Sequence, residues 1–314
     1  MIPIVNEKYK YILFYNPKSA CTSVRKLFLH IHIDELNNDD RSRLDQWHNL
    51  SAIFKYSPQN DYSSYKTINV VRNPYNRVVS GFLSIFVNTI KNNRFEKRIQ
   101  KTLLHIGKAV GKCEMLDVSF SDLIVFLQDH GIEILIKKFK EPHFQEQSVY
   151  YALPERGFTF NYICRVETLK HDLLKAFAGV FGDHEKLFNA VKLYISDEFK
   201  VENYTRMSDS DNYFHNVPIK DLLELPVLPS YKNFLPNLIM EKVERIYERD
   251  FATFHYSIGG VDSRSYLDSY LPDDFEVNVY LELNPELVSH GTDTEEKVKL
   301  HYINHGRYEK RAYK

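Results

Sequence analysis

Residues 11–28 read Tyr-Ile-Leu-Phe-Tyr-Asn-Pro-Lys-Ser-Ala-Cys-Thr-Ser-Val-Arg-Lys-Leu-Phe. The apolar run at the start of this stretch predicts a buried strand, and Val24, Leu27 and Phe28 have the spacing of a helix. The short polar turn between them holds one lysine, Lys18. A helix start, hydroxyl groups and a lysine charge can together bind an anion. We therefore predict a strand–loop–helix unit with an anion site in its loop.

A second unit of this kind follows at residues 67–82, which read Thr-Ile-Asn-Val-Val-Arg-Asn-Pro-Tyr-Asn-Arg-Val-Val-Ser-Gly-Phe. Arg72 stands at the end of the predicted strand, and Pro74 suits the first turn of a helix. Ser80 lies further along that helix, and a guanidinium with a hydroxyl group holds phosphate well. Each loop alone also fits an ordinary strand–helix turn. The two loops together, in this order along the chain, suggest a ligand with phosphate groups at both ends.

The composition limits the class of protein. The chain has 314 residues, 43% of them hydrophobic, which suits one large domain or a large and a small one. A net charge of −1 selects neither nucleic acid nor an anionic membrane. Three cysteines without a CxxC pair indicate neither zinc nor a redox motif, and their sparse use fits a reducing compartment. With no predicted signal peptide or membrane span, we expect a cytoplasmic protein.

The rest of the chain predicts further helices and a small C-terminal module. A Ser-Phe-Ser-Asp sequence at 119–122 predicts a capped helix start. The linker-like composition of residues 257–265 predicts a boundary between a domain at 1–258 and a helical module at 266–314. Apolar periodicity predicts helices at 121–129, 168–178, 184–195 and 237–254, and a strand at 160–166.

The loop at residues 16–23 differs from the Walker A motif of nucleotide kinases. That motif, GxxxxGK[ST], needs glycines and places its lysine at the end of the loop. Here the loop has no glycine, and Lys18 stands near its start. A nucleoside-triphosphate P-loop is therefore a poor match.

The residues of both loops resemble known motifs. Asn-Pro-Lys-Ser-Ala-Cys-Thr-Ser at 16–23 resembles the 5′-phosphosulfate loop of sulfotransferases, and residues 71–82 resemble their 3′-phosphate motif. The resemblance is closest to the carbohydrate sulfotransferases, the group with the heparan 2-O and chondroitin/HNK-1 enzymes, and extends to blocks at 141–147 and 162–169. It implies a P-loop-like three-layer α/β fold with a central parallel sheet flanked by helices. It also implies 3′-phosphoadenosine-5′-phosphosulfate as the donor, with no metal.

The resemblance assigns roles to individual residues. It implies that the first loop binds the 5′-phosphosulfate and that Arg72 and Ser80 bind the 3′-phosphate. Lys18 would also stabilise charge on the leaving oxygen. Cys21 and Asn73 depart from the usual pattern; an asparagine can make the same turn bonds as the usual aspartate. The first-loop residues assigned to the donor are Lys18, Ser19, Thr22 and Ser23.

Four histidines are candidates for the general base, and one of them, His30, follows the first helix pattern and is expected to be structural. His48 is the first choice, because related 2-O-sulfotransferases carry a catalytic histidine in that segment, and His143 is the second. A surface histidine is an equally good interpretation of His48. The alternative role for His143 is to shape the acceptor or donor pocket, and Trp47 fits either stacking on a sugar or packing in the core. His32 is expected to be structural.

The sequence thus predicts sulfuryl transfer to a hydroxyl group of a carbohydrate or glycoconjugate. Two rivals remain: a P-loop-like nucleotide kinase, and a non-catalytic glycan-binding protein on the same fold. Against the kinase, the chain lacks both the GK[ST] sequence and an obvious carboxylate for binding magnesium. Intact Lys18, Arg72 and Ser80 argue against a decayed enzyme. The position sulfated and the oligomeric state do not follow from the sequence.

Overall fold

A computed structural model describes residues 2–33, 50, 54–57, 59–94, 96–150, 160–182, 189–191, 212–258, 271–272, 274–289, 292, 295–307 and 309–314. The predicted site residues Trp47 and His48 lie outside these ranges, as does most of the predicted helix 184–195. Two compact units make up the chain. The first comprises Met1–Val71, Arg156–Phe199 and Val261–Lys314, and the second comprises Arg72–Glu155 and Lys200–Gly260. The domain boundary expected from the sequence stays a prediction.

The first unit contains a sheet of four strands in the order β1-β2-β3-β4. Strands β2 to β4 are parallel, while β1 pairs antiparallel with β2. The predicted α/β class is confirmed, but the sheet is mixed, because β1 and β2 are joined by a short turn that needs no crossover helix. The strands are β1 Ile2–Asn6, β2 Tyr11–Tyr15, β3 Lys66–Val71 and β4 Tyr162–Arg165.

Helices make up most of the remaining described structure. In chain order they are α1 Cys21–His32, α2 Pro74–Phe82, α3 Thr89–Lys91, α4 Lys97–Ala109, α5 Phe120–His130, α6 Glu133–Phe139, α7 Leu169–Phe181, α8 Ile219–Glu224, α9 Asn237–Ile246, α10 Glu248–Phe254, α11 Val277–Leu283, α12 Glu286–Ser289 and α13 Glu295–His301. A π-helical segment, Leu83–Asn88, joins α2 to α3. Within the described ranges, none of the helices is long and apolar enough to cross a membrane.

The core of the first unit forms where α1 and α7 pack on one face of the sheet. Alternate strand residues such as Leu13, Ile68 and Val70 point to this face and contact helix residues such as Leu27 and Phe177. All five residues of β2 are buried, as in a strand covered on both faces. This packing holds the start of α1 against the end of β2.

His32, at the end of α1, has a structural role as expected. Its ring is fully buried, and it shares hydrogen bonds with the Tyr11 hydroxyl group and, at 3.2 Å, with the Asn6 amide nitrogen. Both ring nitrogens are therefore occupied by β1 and β2. This histidine has no nitrogen left for proton transfer to a substrate.

The second unit has its own helical core. The Ser119 and Asp122 side chains form the predicted capping box, and the helix they begin spans Phe120–His130 rather than 121–129. The single helix predicted at 237–254 is wrong: α9 and α10 are separated at Tyr247, which has a non-helical ψ of 25°. The Tyr247 hydroxyl group donates to the Phe144 carbonyl oxygen at 2.8 Å, so the break serves a tertiary contact.

The C-terminal segment is helical, as predicted, and contacts α7 within the first unit. The Arg307 guanidinium lies 3.2 Å from the His171 ring. Burial and the Arg307 charge lower the pKa of His171 to about 4. Within the segment, the buried Tyr280 shares a 2.9 Å hydrogen bond with His301. The C-terminal helices therefore form a packed cluster. Arg307 of this segment contacts the neutral His171 of α7.

Candidate functional site

The first loop begins with a tight turn after β2. The Ser19 amide donates to the Asn16 carbonyl oxygen at 3.1 Å, with Pro17 and Lys18 between them. Lys18 has a φ of 67°, so the turn has proline at its second position and a left-handed residue at its third, as in a type II turn. Lys18 is half-buried and Ser19 is buried. The proline in the sequence explains the turn, while the left-handed lysine is set by the tertiary structure.

The same loop ends with a second left-handed residue. Ala20 has a φ of 53° and a ψ of 25° and precedes α1 directly. Each left-handed residue other than glycine costs roughly 1–2 kcal/mol. The loop therefore adopts, without glycine, backbone conformations that glycines supply in a Walker A loop. Strain of this kind is found where a loop must present backbone groups to a ligand.

The start of α1 offers hydrogen-bond donors. The first N–H groups of a helix have no acceptor within the helix, and the alanine at the cap position provides none from its side chain. Thr22 is exposed and Ser23 is half-buried, so hydroxyl groups accompany these N–H groups. The positive end of the helix dipole adds to the attraction for an anion. These features fit the phosphosulfate group that the resemblance implies.

The loop is tied to the next strand. The parallel register aligns Tyr15 of β2 with Val70 of β3, so both strands end at the same edge of the sheet. The buried Asn16 side chain donates to the Val70 carbonyl oxygen at 3.3 Å. Ligands of open α/β sheets bind at the carboxyl ends of the strands. The first loop therefore begins at the expected edge.

The second loop is held by a glutamine that the sequence analysis did not identify. Arg72 directly follows β3, and its amide donates to the Gln147 side-chain oxygen at 2.8 Å. The Gln147 side-chain nitrogen donates in return to the Arg72 carbonyl oxygen at 2.8 Å. The Arg72 guanidinium lies over the Tyr231 ring, 5.0 Å from its centroid. Both the backbone and the side chain of Arg72 are thus positioned.

Helix α2 begins as the sequence predicts. Asn73 is its cap residue and accepts from the Tyr75 amide at 3.0 Å, and Pro74 occupies the first turn. The expectation that asparagine can replace the usual aspartate here is confirmed for the local turn bond. Ser80 lies on this helix and is 9% exposed. Its hydroxyl group is therefore positioned by a buried helix.

Arg77, also on α2, is a structural residue that sequence reasoning missed. It is 1% exposed, and its guanidinium donates to the carbonyl oxygens of His143, at 3.3 Å, and of Gln145. It also lies 3.8 Å from the carboxylate of the fully buried Asp250. The arginine thus connects α2 to the segment that begins at Glu141. The sequence did contain a signal for Arg77, because it belongs to the same motif as Arg72. The motif does not, however, distinguish a buried structural arginine from one that binds a ligand.

Asp250 organises the same segment from α10. Its two carboxylate oxygens accept from the backbone amides of Gln147 at 2.9 Å and Ser148 at 2.7 Å. The side-chain nitrogen of Gln147 lies 3.5 Å from the same carboxylate. This buried acid therefore holds Gln147 in the orientation that lets it bond Arg72. The local sequence does not predict this contact, because Asp250 and Gln147 are far apart in the chain.

His143 lies in the same segment, in a short 3₁₀ turn, Pro142–Phe144. Its Nδ1 atom is hydrogen-bonded to the Glu141 carboxylate, which also pairs with Arg98. Glu141 is 1% exposed, whereas the His143 side chain is 28% exposed. A buried carboxylate behind a solvent-accessible imidazole is an arrangement suited to proton transfer.

The predicted site residues belong to both compact units. Lys18, Ser19, Thr22 and Ser23 lie in the first, and Arg72, Ser80 and His143 lie in the second. Their assigned roles stay predictions.

The described structure is an α/β fold in which a glycine-free lysine loop follows β2. The chain belongs to the sulfotransferase family, whose sequence pattern matches residues 3–257. Over 270 residues it is 24% identical to carbohydrate sulfotransferase 11 from Rattus norvegicus and to that from Mus musculus. The match covers 81% of this chain and 67% of each relative. A comparison with solved structures gave no significant match.

Proposed function

We propose that this protein transfers a sulfuryl group from 3′-phosphoadenosine-5′-phosphosulfate to a hydroxyl group of a carbohydrate or glycoconjugate. The observation that carries the proposal is the lysine loop at the end of β2, in a chain that belongs to the sulfotransferase family. The similarity to proteins named carbohydrate sulfotransferase 11 supports the acceptor class.

In this proposal each loop binds one end of the donor. Lys18, the N–H groups at the start of α1 and the hydroxyl groups of Ser19, Thr22 and Ser23 bind the 5′-phosphosulfate. Arg72 and Ser80 bind the 3′-phosphate. The hydrogen bonds from Gln147 fix the backbone of Arg72, and the Tyr231 ring contacts its guanidinium; both support this role, because they position the residue before the ligand arrives.

The reaction is an in-line displacement at sulfur. The acceptor oxygen forms a bond to sulfur while the bond from sulfur to the bridging oxygen breaks, and adenosine 3′,5′-bisphosphate leaves. Negative charge grows on the bridging oxygen, where the Lys18 ammonium group stabilises it. The acceptor proton passes to a general base. The protein otherwise acts by positioning the reactants.

Calorimetry with adenosine 3′,5′-bisphosphate tests donor binding. We expect this compound to bind the protein, and Arg72→Ala to weaken binding by about 1–3 kcal/mol, as for a lost charged hydrogen bond. Tight binding of ATP with magnesium and no binding of the bisphosphate would instead favour the rival nucleotide kinase.

Transfer of labelled sulfate to a panel of carbohydrates tests the activity. The Lys18→Ala variant is expected to lose transfer, since it removes the charge beside the leaving oxygen. Lys26→Ala, on a half-buried lysine further along α1, is the matched control and is expected to retain transfer. A wild-type protein that binds carbohydrates but transfers no sulfate would favour the non-catalytic alternative.

A further inference from the structure

The Glu141 carboxylate uses both of its oxygens within the protein. One oxygen is hydrogen-bonded to the Nδ1 atom of His143 and accepts, at 3.2 Å, from the His143 backbone amide. The other oxygen pairs with the Arg98 guanidinium. Because Glu141 is 1% exposed, water does not compete strongly for these contacts. The carboxylate is thus held in one orientation, with the imidazole beside it.

This arrangement determines the tautomer of His143. Burial alone would raise the pKa of Glu141, but the hydrogen bond and charge of His143 and the charge of Arg98 lower it overall. An ionised carboxylate only accepts hydrogen bonds, so Nδ1 of His143 must carry a proton and donate it. In the neutral ring the lone pair then resides on Nε2. Within the described ranges, Nε2 has no hydrogen-bond partner.

The turn that carries His143 is packed against α2, the helix of Ser80. Arg77 of α2 donates to the His143 carbonyl oxygen at 3.3 Å. One turn further along, Gly81 lies so close to Phe144 that a Cβ atom would stand 2.9 Å from its ring. The chain at His143 and directly after it is therefore held by α2, the helix that the proposed function assigns to the donor.

We propose that Glu141 and Arg98 are positioning residues that hold His143 as the general base, with Nε2 directed to the acceptor hydroxyl group. This inference rests on the proposed function and places the base at His143 rather than at His48. As the acceptor oxygen bonds to sulfur, its proton moves to Nε2. The resulting imidazolium is stabilised by the Glu141 carboxylate through Nδ1, as an acid behind a histidine does in other enzymes. Arg98 keeps that carboxylate ionised and oriented.

The kinetic test uses single and double variants. His143→Ala is expected to lower kcat by about 10²–10⁴-fold, the usual contribution of a general base. Glu141→Gln is expected to lower kcat by roughly ten-fold or more, because it removes the charge that orients the ring. Glu141 acts only through His143 in this mechanism, so the double variant should be no slower than His143→Ala. Binding of adenosine 3′,5′-bisphosphate and the melting temperature of each variant serve as checks on folding.

Two matched controls accompany these variants. Glu133→Gln alters an exposed carboxylate that pairs with Lys137, and His130→Ala removes an exposed histidine. Both should leave kcat unchanged. A Glu141→Gln variant with normal kcat would overturn the inference, as would a double variant whose losses multiply. A His143→Ala variant with normal kcat beside an inactive His48→Ala would also overturn it, while leaving the proposed function intact.

A spectroscopic test does not depend on sulfate transfer. In protein labelled with ¹⁵N-histidine, the His143 ring of the wild type should show a protonated Nδ1 and an unprotonated Nε2 at pH 8. Glu141→Gln should shift this pattern towards the other tautomer, whereas Glu133→Gln should not. A wild-type ring protonated at Nε2 and not at Nδ1 would overturn the positioning role even in an active enzyme. The expected pattern in a protein without transfer would refute the proposed function and the role of His143 as its base, while the contact between Glu141 and His143 would stand.

Discussion

Gln147→Glu replaces the amide that holds Arg72 with a group of the same shape. The new group can still accept from the Arg72 amide, but when ionised it cannot donate to the Arg72 carbonyl oxygen, 2.8 Å from the present nitrogen. It would also place a second carboxylate 3.5 Å from the oxygen of Asp250. Two such charges repel by about 5 kcal/mol at an effective dielectric constant of about 20.

Protonation limits this cost. A protonated carboxyl group can accept from the Arg72 amide and donate to its carbonyl oxygen, which restores the wild-type pattern. The cost then equals that of protonating an acid with an unfolded pKa of about 4.3, which is about 1.6 kcal/mol at pH 5.5 and about 3.7 kcal/mol at pH 7.0. Because the folded-state pKa of the new group is raised, the variant loses stability relative to wild type as the pH rises above its unfolded pKa.

Urea unfolding followed by circular dichroism at both pH values tests this reasoning. The stability difference between wild type and Gln147→Glu should be about 2 kcal/mol larger at pH 7.0 than at pH 5.5. Gln145→Glu is the matched control, since its side chain is only half-buried, and it should show little pH dependence. Gln147→Ala should lower the free energy of unfolding by the same amount at both pH values. An equal loss for Gln147→Glu at both pH values would refute the assigned hydrogen-bond pattern.

Two further predictions concern packing and pH. Gly81→Ala is expected to destabilise the protein by about 1–3 kcal/mol in urea unfolding, because the new Cβ atom would meet the buried Phe144 ring at 2.9 Å. Alanine normally favours helices, so a stabilised variant would contradict the close contact. The lowered pKa of His171 means that the unfolded chain binds the extra proton, so wild-type stability should fall as the pH drops from about 6.5 towards 4. His171→Gln should flatten that part of a profile of unfolding midpoint against pH, and an unchanged slope would show that His171 is not held neutral by burial and Arg307.

The sequence by itself determined the local units of this protein. Apolar periodicity located β2, β3 and the helices after them, and Pro74 with Asn73 located the start of α2, because these signals act over a few residues. The lysine loop and the Arg72 motif were also identified from the sequence. Strand β1 was not predicted, since a short edge strand has little local signature of its own.

The tertiary structure alone decided how the second loop is held. Gln147 and Asp250 are far from Arg72 in the sequence, and only folding brings their hydrogen-bonding groups together. The same holds for Arg98, which reaches from α4 to the Glu141 carboxylate that is hydrogen-bonded to Nδ1 of His143. Buried polar groups must find partners wherever the fold provides them, so their pairing depends on the packing of distant elements and not on the order of residues.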